Sequence, residues 1–377
     1  MEKNLLILFL TVTLLLTAAG CGKPKAPEVL DAPSEPAVLY EDGLKSLLTD
    51  LSADGAMLRV YREGEWSSCR ADSAIRAERY IETLRDFTWE SHDLPEGWDW
   101  VNDDGYRCAF EGNGVSLTAY QSCVGDFYPF HAVTESGEGW FFLPYIEDTQ
   151  DTDGQVGWMP YNTLSNWWDE AQTAEYYRGS GTPLSADELD RLEAFTGAGH
   201  PYNDGPSLGD AGAINCFFTS LYDDPRDIDA GAFLQYFPSE KTLSSEDEAE
   251  FALVQKKLNW RSGADDHLFL VGELPVPCHR IPRAMLDDAL TKYAGITVAE
   301  MHTDWTKEYG YYIPETDCFY TFTSDFGPGM FVPYYGEKDA DTVSLWTAGY
   351  LPGNPARKLT LQKSGEDWRI LSHQTAD

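Results

Sequence analysis

The chain has 377 residues, of which 42% are hydrophobic and 14% aromatic, so it can bury a sizeable core and is not a disordered stalk. Its formal net charge of −36 argues against nucleic acid as a partner, because each phosphate contact needs a Lys or Arg and the field of the protein opposes the encounter. Such a field attracts cationic ligands, divalent ions or basic peptides, although a need for solubility explains the charge more simply.

The first residues have the pattern of a secretory signal that ends at a cysteine. Lys3 precedes the apolar run LLILFLTVTLLL, which is shorter than the roughly 20 residues of a spanning helix, and small residues then lead into Cys21. The pattern resembles the lipobox of bacterial lipoproteins, whose cysteine receives diacylglycerol and becomes the new N-terminus. The resemblance implies a signal peptide over residues 1–20 and a lipid anchor at Cys21 in the cell membrane, facing outside the cytoplasm. The alternative is an ordinary secretory signal in which Cys21 is incidental.

A polar, Pro-rich stretch over residues 21–39 follows, and it lacks apolar periodicity. This composition is typical of a tether that holds a folded body away from a membrane. No second apolar run in the sequence approaches spanning length, so we expect membrane contact through the lipid alone. The remaining residues, about 340, are many for one core and sufficient for two domains.

Helical and strand patterns alternate over residues 40–178 and predict an N-terminal α+β domain with antiparallel hairpins. In chain order we predict a helix over 39–51, strands at MLRVYR and EWSSCR, a helix over 72–87, hairpins around residues 113 and 137, and a closing helix at LSNWWDEAQTAEYYR.

The first of these hairpins has a defined register if Asn113 and Gly114 form its two-residue turn. Cys108 then lies opposite Ala119 on the apolar face, where a thiol is most often a small buried hydrophobe. Cys123 would not face Cys108 in this register. Six cysteines besides Cys21, with no CxxC pair, indicate neither a dense disulfide framework nor a zinc site.

Residues 179–206 have the composition of a linker that contains one helix. Ser185 and Glu188 have the spacing of a capping box, and Gly197 fits the end of this helix. We therefore place the boundary between the two domains near residue 200.

Residues 207–377 begin with helical patterns and end with strand patterns. One helix starts after Pro282 and stops at Gly295, and strands follow from Asp317 to the end of the chain. The segments RIPRAMLDDALTKYAGITVAEM, YYIPETDCFYTFTSDF and KLTLQKSGEDWRILS resemble those of NTF2-like, or cystatin-like, domains in lipoproteins. The resemblance implies helices packed on one face of a curved sheet, and it implies no reaction.

The sequence has no phosphate- or dinucleotide-binding glycine motif. G-x-x-x-x-G-K and G-x-G-x-x-G are both absent, GPSLG over residues 205–209 matches G-x-S-x-G in its letters alone, and no two of the seven histidines have HxxxH or HxH spacing. The acidic stretch DTQDTDGQ over residues 148–155 fails as a calcium loop, because the first and twelfth ligand positions would be Thr149 and Pro160. We therefore expect no cofactor and no metal.

Two clusters invite a binding interpretation. The first is a set of arginines that could form an anion or headgroup site, although pairing with nearby glutamates explains them more simply; they are Arg59, Arg62, Arg70, Arg76, Arg79 and Arg85. The second is the set of tryptophans in EGWDW and NWWDE, which could line a carbohydrate or peptide surface. Tryptophan is, however, more often a core or interface residue.

Proton-transfer chemistry has three candidates in the second half of the chain, Asp317, Tyr320 and His279. Such a role needs a carboxylate whose pKa is raised by apolar burial beside a hydrogen-bond donor. Strand alternation puts Cys318, Tyr320 and Phe322 on one face of the strand and Asp317 on the other face, which argues against a joint role for Asp317 and Tyr320. We therefore expect a lipid-anchored extracytoplasmic protein that binds a surface ligand or protein. The alternatives are an NTF2-like isomerase or dehydratase and a solute receptor.

Overall fold

The computed structural model of the chain describes residues 38–376, with gaps at 50, 72–75, 87–89, 92–93, 95–97, 99–104, 122–126, 136, 145–159, 198–211, 259–268, 304–311, 323–329 and 349–354. The α-helices in these ranges are α1 (Glu41–Thr49), α2 (Ala77–Asp86), α3 (Pro160–Tyr177), α4 (Ala186–Phe195), α5 (Ala230–Gln235), α6 (Glu248–Leu258) and α7 (Arg283–Ala294). Short 3₁₀ helices lie at Ala213–Phe218, Pro225–Asp227, Ser245–Asp247, Val271–Glu273 and Val298–Glu300.

The strands complete a mixed α+β protein whose paired strands are antiparallel. They are β1 (Met57–Arg62), β2 (Glu65–Arg70), β3 (Glu90–Ser91), β4 (Arg107–Gly112), β5 (Val115–Tyr120), β6 (Phe127–Thr134), β7 (Gly137–Pro144), β8 (Thr182–Pro183), β9 (Lys241–Thr242), β10 (Cys278–Pro282), β11 (Cys318–Phe322), β12 (Tyr335–Asp339), β13 (Thr342–Trp346), β14 (Arg357–Ser364) and β15 (Asp367–Thr375).

The first half of the chain builds a seven-stranded sheet in the order β2-β1-β4-β5-β6-β7-β3. Side chains of α1, α2 and α3 share one hydrophobic cluster with the inward-facing residues of its strands. Trp167 lies at the centre of this cluster, where its ring stacks on Tyr80 and contacts Phe110. The alternating strands and the helical stripes predicted from the sequence therefore meet in one core.

The predicted Asn-Gly hairpin is confirmed in its turn and in its register. Asn113 and Gly114 both have positive φ, 54° and 78°, which a two-residue turn of this kind requires. Cys108 pairs with Ala119 and is buried. Cys123 lies outside the described residues, and the five described cysteines are all buried.

The segment predicted to be a linker adds a strand and a helix to the structure that follows it. β8 pairs with β12 and forms the edge of a five-stranded sheet in the order β15-β14-β13-β12-β8. The capping box of α4 is confirmed, since Ser185 accepts from the backbone of Glu188 and the Glu188 side chain accepts from Ser185. Leu189 and Leu192 of this helix join the hydrophobic cluster under the sheet.

The expectation of one curved sheet from Asp317 onward is wrong. β11 belongs to a separate three-stranded sheet in the order β11-β10-β9, while the last four strands pair with one another and with β8. The predicted alternation within β11 is confirmed, because Cys318 and Tyr320 face one hydrophobic cluster and Phe319 faces another. A strand buried on both faces lies between two cores, and its apolar pattern does not reveal which strand it will pair with.

The helix predicted after Pro282 is confirmed as α7. Pro282 precedes its first residue and Gly295 ends it with a φ of 71°, a left-handed conformation that glycine adopts easily. The helical pattern at AGAINCFF is instead a 3₁₀ helix, and its side chains Ile214 to Phe218 are all buried. These two helices and α4 position the site described next.

Candidate ligand-binding site

A cavity of about 380 Å³ opens beside the last turns of α4 and α7. The start of the 3₁₀ helix at Ala213–Phe218 and the start of β15 complete its wall. Its volume lies in the lower part of the range typical of small-molecule sites, about 300–1,000 Å³. The lining residues are Ala194, Phe195, Gly197, Gly212, Ile214, Asn215, Lys292, Tyr293, Asp367 and Trp368.

Gly197 shapes this cavity by ending α4 in a conformation that leaves room for Asn215. Its φ is 77°, and a Cβ at this position would lie 3.0 Å from Oδ1 of Asn215. A side chain here would therefore be strained by the backbone and would press on the amide. Glycine is the residue that lets the helix end and the Asn215 side chain approach each other.

Asn215 brings a buried polar group to the cavity. The residue is 5% exposed, and its backbone amide donates to Gly212 O at 3.0 Å. Among the described residues its side-chain amide makes no hydrogen bond. A molecule that enters the cavity and pairs with this amide gains a hydrogen bond.

Opposite charges and aromatic rings surround this amide. Lys292 and Asp367 are exposed cavity-lining residues of opposite charge. The Lys292 Nζ lies 4.7 Å from the centre of the Tyr293 ring, and the Tyr293 and Phe195 rings meet edge to face at 6.1 Å. The arrangement can hold a small ligand that has an apolar body and polar ends, which is the usual composition of a binding pocket.

None of the three residues proposed for proton transfer lines this cavity. The Tyr320 hydroxyl donates to Glu250 and lies 2.9 Å from Thr316 Oγ1, and burial together with the Glu250 carboxylate raises the pKa of Tyr320. Asp317 is exposed in a turn with a φ of 51° and accepts from the Tyr312 hydroxyl at 2.7 Å.

His279 lies apart from that pair in its hydrogen bonding, with Nδ1 3.1 Å from Thr242 Oγ1. The structure therefore gives Asp317, Tyr320 and His279 three different sets of partners. A joint role in catalysis gains no support from this geometry.

A buried carboxylate on α3 was not among the residues predicted from the sequence. Glu170 is 1% exposed, and its Oε1 lies 3.1 Å from Nη1 of Arg76. Its Oε2 has no hydrogen-bond partner within the described ranges. Burial raises the pKa of Glu170 to about 7 in spite of the opposing effect of Arg76. The available signal was a glutamate between Trp167 and Ala171 on a helix face that packs into the core.

Arg59, Arg76 and Arg79 pair with acids, as the simpler interpretation held, although these acids lie farther along the chain than the neighbouring glutamates. Arg85 instead donates to the backbone oxygens of Leu48 and Thr49. Arg76 contacts Glu170, Asp190 and Glu193, with its Nη2 2.5 Å from Glu193 Oε2. Arg79 also pairs with Asp190. Acids of α3 and α4 therefore take the place of the nearby glutamates as partners of Arg79, on α2, and of Arg76, the residue before α2.

The tryptophans in NWWDE are core residues, since Trp167 and Trp168 are both buried. Trp98 packs edge to face against Tyr120 and Trp140, with ring centres 5.4 Å apart in both pairs. The EGWDW stretch is otherwise outside the described residues, as are residues 148–155.

In the part of the chain that the structure describes, no helix has the length and apolar character needed to cross a bilayer. The same residues contain no group of three or more His, Cys, Asp or Glu side chains arranged to hold a metal ion. Comparison with protein-family models, with curated proteins and with solved structures gives no match. The function therefore has to be argued from the site itself.

Proposed function

We propose that this protein is a lipid-anchored, extracytoplasmic binding protein that holds a small ligand in the cavity beside α4 and α7 without catalysing its conversion. The anchor would be Cys21, on the basis of the lipobox-like sequence that precedes it. The body would comprise an N-terminal α+β domain and an NTF2-like domain over 207–377, as the sequence resemblance implies. The packing of α7 against β15 is compatible with a helix lying on such a sheet.

The observation that carries the binding function is the Asn215 side-chain amide, which lines a cavity of about 380 Å³ and has no hydrogen-bond partner among the described residues. It can offer an incoming molecule both a donor and an acceptor. Among the described lining residues the one carboxylate, that of Asp367, is exposed. Proton transfer of the kind considered for NTF2-like enzymes needs a buried carboxylate, so the lining favours binding over catalysis.

A cavity-filling variant tests this function. Gly212 has an ordinary φ of −63°, and a Cβ there meets Ile214 and Asn215, both lining residues, at 3.6 and 3.9 Å. Gly212→Phe should therefore fill the cavity without backbone strain. The matched control is Gly272→Phe, because Gly272 is exposed and a Cβ there meets nothing within 4 Å.

The measurement is ligand-observed NMR with a library of small polar and aromatic fragments. We expect fragments that bind the wild type and Gly272→Phe but lose their signal with Gly212→Phe. Finding no binding fragment, or finding that the fragments bind Gly212→Phe equally well, would remove the basis for a ligand site in this cavity.

The anchor is tested separately in cells that carry out bacterial lipoprotein processing. The wild-type protein should partition with membranes and yield an N-terminal peptide that carries the mass of a diacylglycerol group, whereas Cys21→Ser should do neither. Recovery of the wild-type protein as a soluble, unlipidated chain would contradict the anchoring.

A further inference from the structure

We infer that the ligand is a small zwitterion with an apolar body, the chemistry of a free α-amino acid. This inference rests on the proposed binding function and names the class of ligand that the cavity takes. It follows from four properties of the lining: its two opposite charges, its helix ends, its aromatic rings and its buried amide.

The charged side chains among the described lining residues are one cation and one anion, Lys292 and Asp367. A carboxylate is attracted by the ammonium group of Lys292, and an ammonium group is attracted by the carboxylate of Asp367. Ligands that carry one of these charges satisfy one side chain and are repelled by the other. A zwitterion has a partner for both.

The C-terminal end of α4 adds negative potential to the cavity wall. Ala194 and Phe195 are the last residues of α4, whose final turn contains no basic side chain. The partial negative charge at a helix C-terminus favours a cation, and at α4 no side chain of that turn offsets it. The last turn of α7 does carry a basic residue, Lys292, which balances its own helix end.

The remaining lining matches the body and the carboxylate of such a ligand. Phe195, Tyr293 and Trp368 provide aromatic surface for an apolar side chain. The Asn215 amide offers an N–H donor to a carboxylate and a carbonyl acceptor to an ammonium group. It can therefore pair with either end of the molecule.

The charge of the whole protein strengthens this choice. At −36 the protein repels simple organic anions as they approach, whereas a zwitterion has no net charge and meets no such barrier. An organic amine is attracted at long range but encounters Lys292 inside the cavity. The combination favours a neutral molecule with separated charges.

Isothermal titration calorimetry with matched probes tests the inference. The zwitterions are L-phenylalanine and L-leucine, the amines without a carboxylate are phenethylamine and isoamylamine, and the acids without an ammonium group are 3-phenylpropionate and 4-methylpentanoate. We expect at least one zwitterion to bind the wild-type protein about tenfold or more tightly than its matched amine and acid, because each singly charged probe loses one charge-assisted contact.

Two variants identify the groups responsible. Lys292→Gln should weaken the zwitterion about tenfold and leave the amine unaffected or tighter, whereas Asp367→Asn should weaken the zwitterion and the amine but not the acid. Lys363→Gln and Glu366→Gln are the controls, because these exposed residues belong to the same β14–β15 hairpin and do not line the cavity. Circular dichroism establishes that all four variants are folded.

The inference is overturned if neither zwitterion binds more tightly than its amine and its acid, or if the controls weaken binding as much as Lys292→Gln and Asp367→Asn. Either result leaves the proposed binding function standing as long as fragments bind the wild type and not Gly212→Phe. If no fragment binds the wild type, or if the fragments bind Gly212→Phe equally well, the proposed binding function itself is contradicted.

Discussion

Replacing Glu170 with glutamine should make the stability of the protein less dependent on pH. In the folded state, burial raises the pKa of Glu170 from 4.5 to about 7, although Arg76 lies 3.1 Å from its Oε1. In the unfolded chain the group titrates with its ordinary pKa. Between these two values the folded protein binds a proton that the unfolded chain releases.

The sign of the effect follows from the raised pKa. The contribution of a protonated Glu170 to stability is fully present below about pH 4.5 and is lost as the pH rises through about 7. A difference of about 2.5 pKa units corresponds to about 3 kcal/mol in the free energy of unfolding. Glutamine cannot ionise and keeps a similar shape, so the Glu170→Gln variant should gain about 3 kcal/mol relative to the wild type between about pH 5 and pH 8.

The assay is urea denaturation of the wild type and the variant at several pH values across that range. Glu175→Gln is the matched control, because Glu175 is an exposed glutamate on the same helix. It should show a pH-independent difference from the wild type. A Glu170→Gln difference that stays constant within about 0.5 kcal/mol would mean that the attraction of Arg76 cancels the effect of burial, and a difference that falls as the pH rises would mean that it outweighs burial; either result would refute the reasoning.

Three further changes have defined outcomes. Burial lowers the pKa of His373 to about 4. The wild type should therefore lose about 3 kcal/mol in the free energy of unfolding as the pH falls from about 6.5 to 4, and His373→Gln should not show this loss when both are measured by urea denaturation. Gly197→Ala should lower the free energy of unfolding by about 1–2 kcal/mol because of the positive φ at this position. The loss should exceed that of Gly365→Ala, because Gly365 has a similar φ but no neighbour within 4 Å. Thermal unfolding of the two variants measures the difference, which is the effect of the new methyl group pressing on Asn215. Ser185→Ala should lower the free energy of unfolding by about 0.5–2 kcal/mol through loss of the α4 cap, and an unchanged thermal midpoint would contradict this.

Local features of this fold were predictable because local chemistry determines them. Asn113 and Gly114 accept positive φ, Ser185 and Glu188 satisfy each other's backbone amides, and Gly295 ends α7. Each signal acts over a few residues, so the sequence contains everything needed to interpret it.

Long-range pairing was not predictable in the same way. β11 and β12 follow each other along the chain but belong to different sheets, and the two-residue strand β8 pairs with a strand far along the chain. Which strands pair depends on how several elements pack at once, and hydrophobic periodicity does not encode that choice.

The residues of the candidate site also divide into those with a local sequence signal and those that only long-range packing brings together. Asn215 interrupts an apolar run, AINCFF, and that interruption was a usable signal. Lys292 and Asp367 looked like ordinary surface charges, because only the meeting of α7 with the β14–β15 hairpin brings them to one cavity. Glu170 likewise became conspicuous only when Arg76 and the core around it were in place.

The most direct test of a ligand site at Asn215 is an NMR titration of protein carrying ¹⁵N-labelled asparagine with a fragment that binds the wild type and not Gly212→Phe. The side-chain amide of Asn113 is an internal control, because it donates to Ser52 O at 3.1 Å in the first-half hairpin and does not line the cavity. The proposed site predicts that the Asn215 side-chain signals shift and saturate while the Asn113 signals stay in place. Asn215 signals that do not move at the highest fragment concentration, or that move no more than those of Asn113, would contradict it.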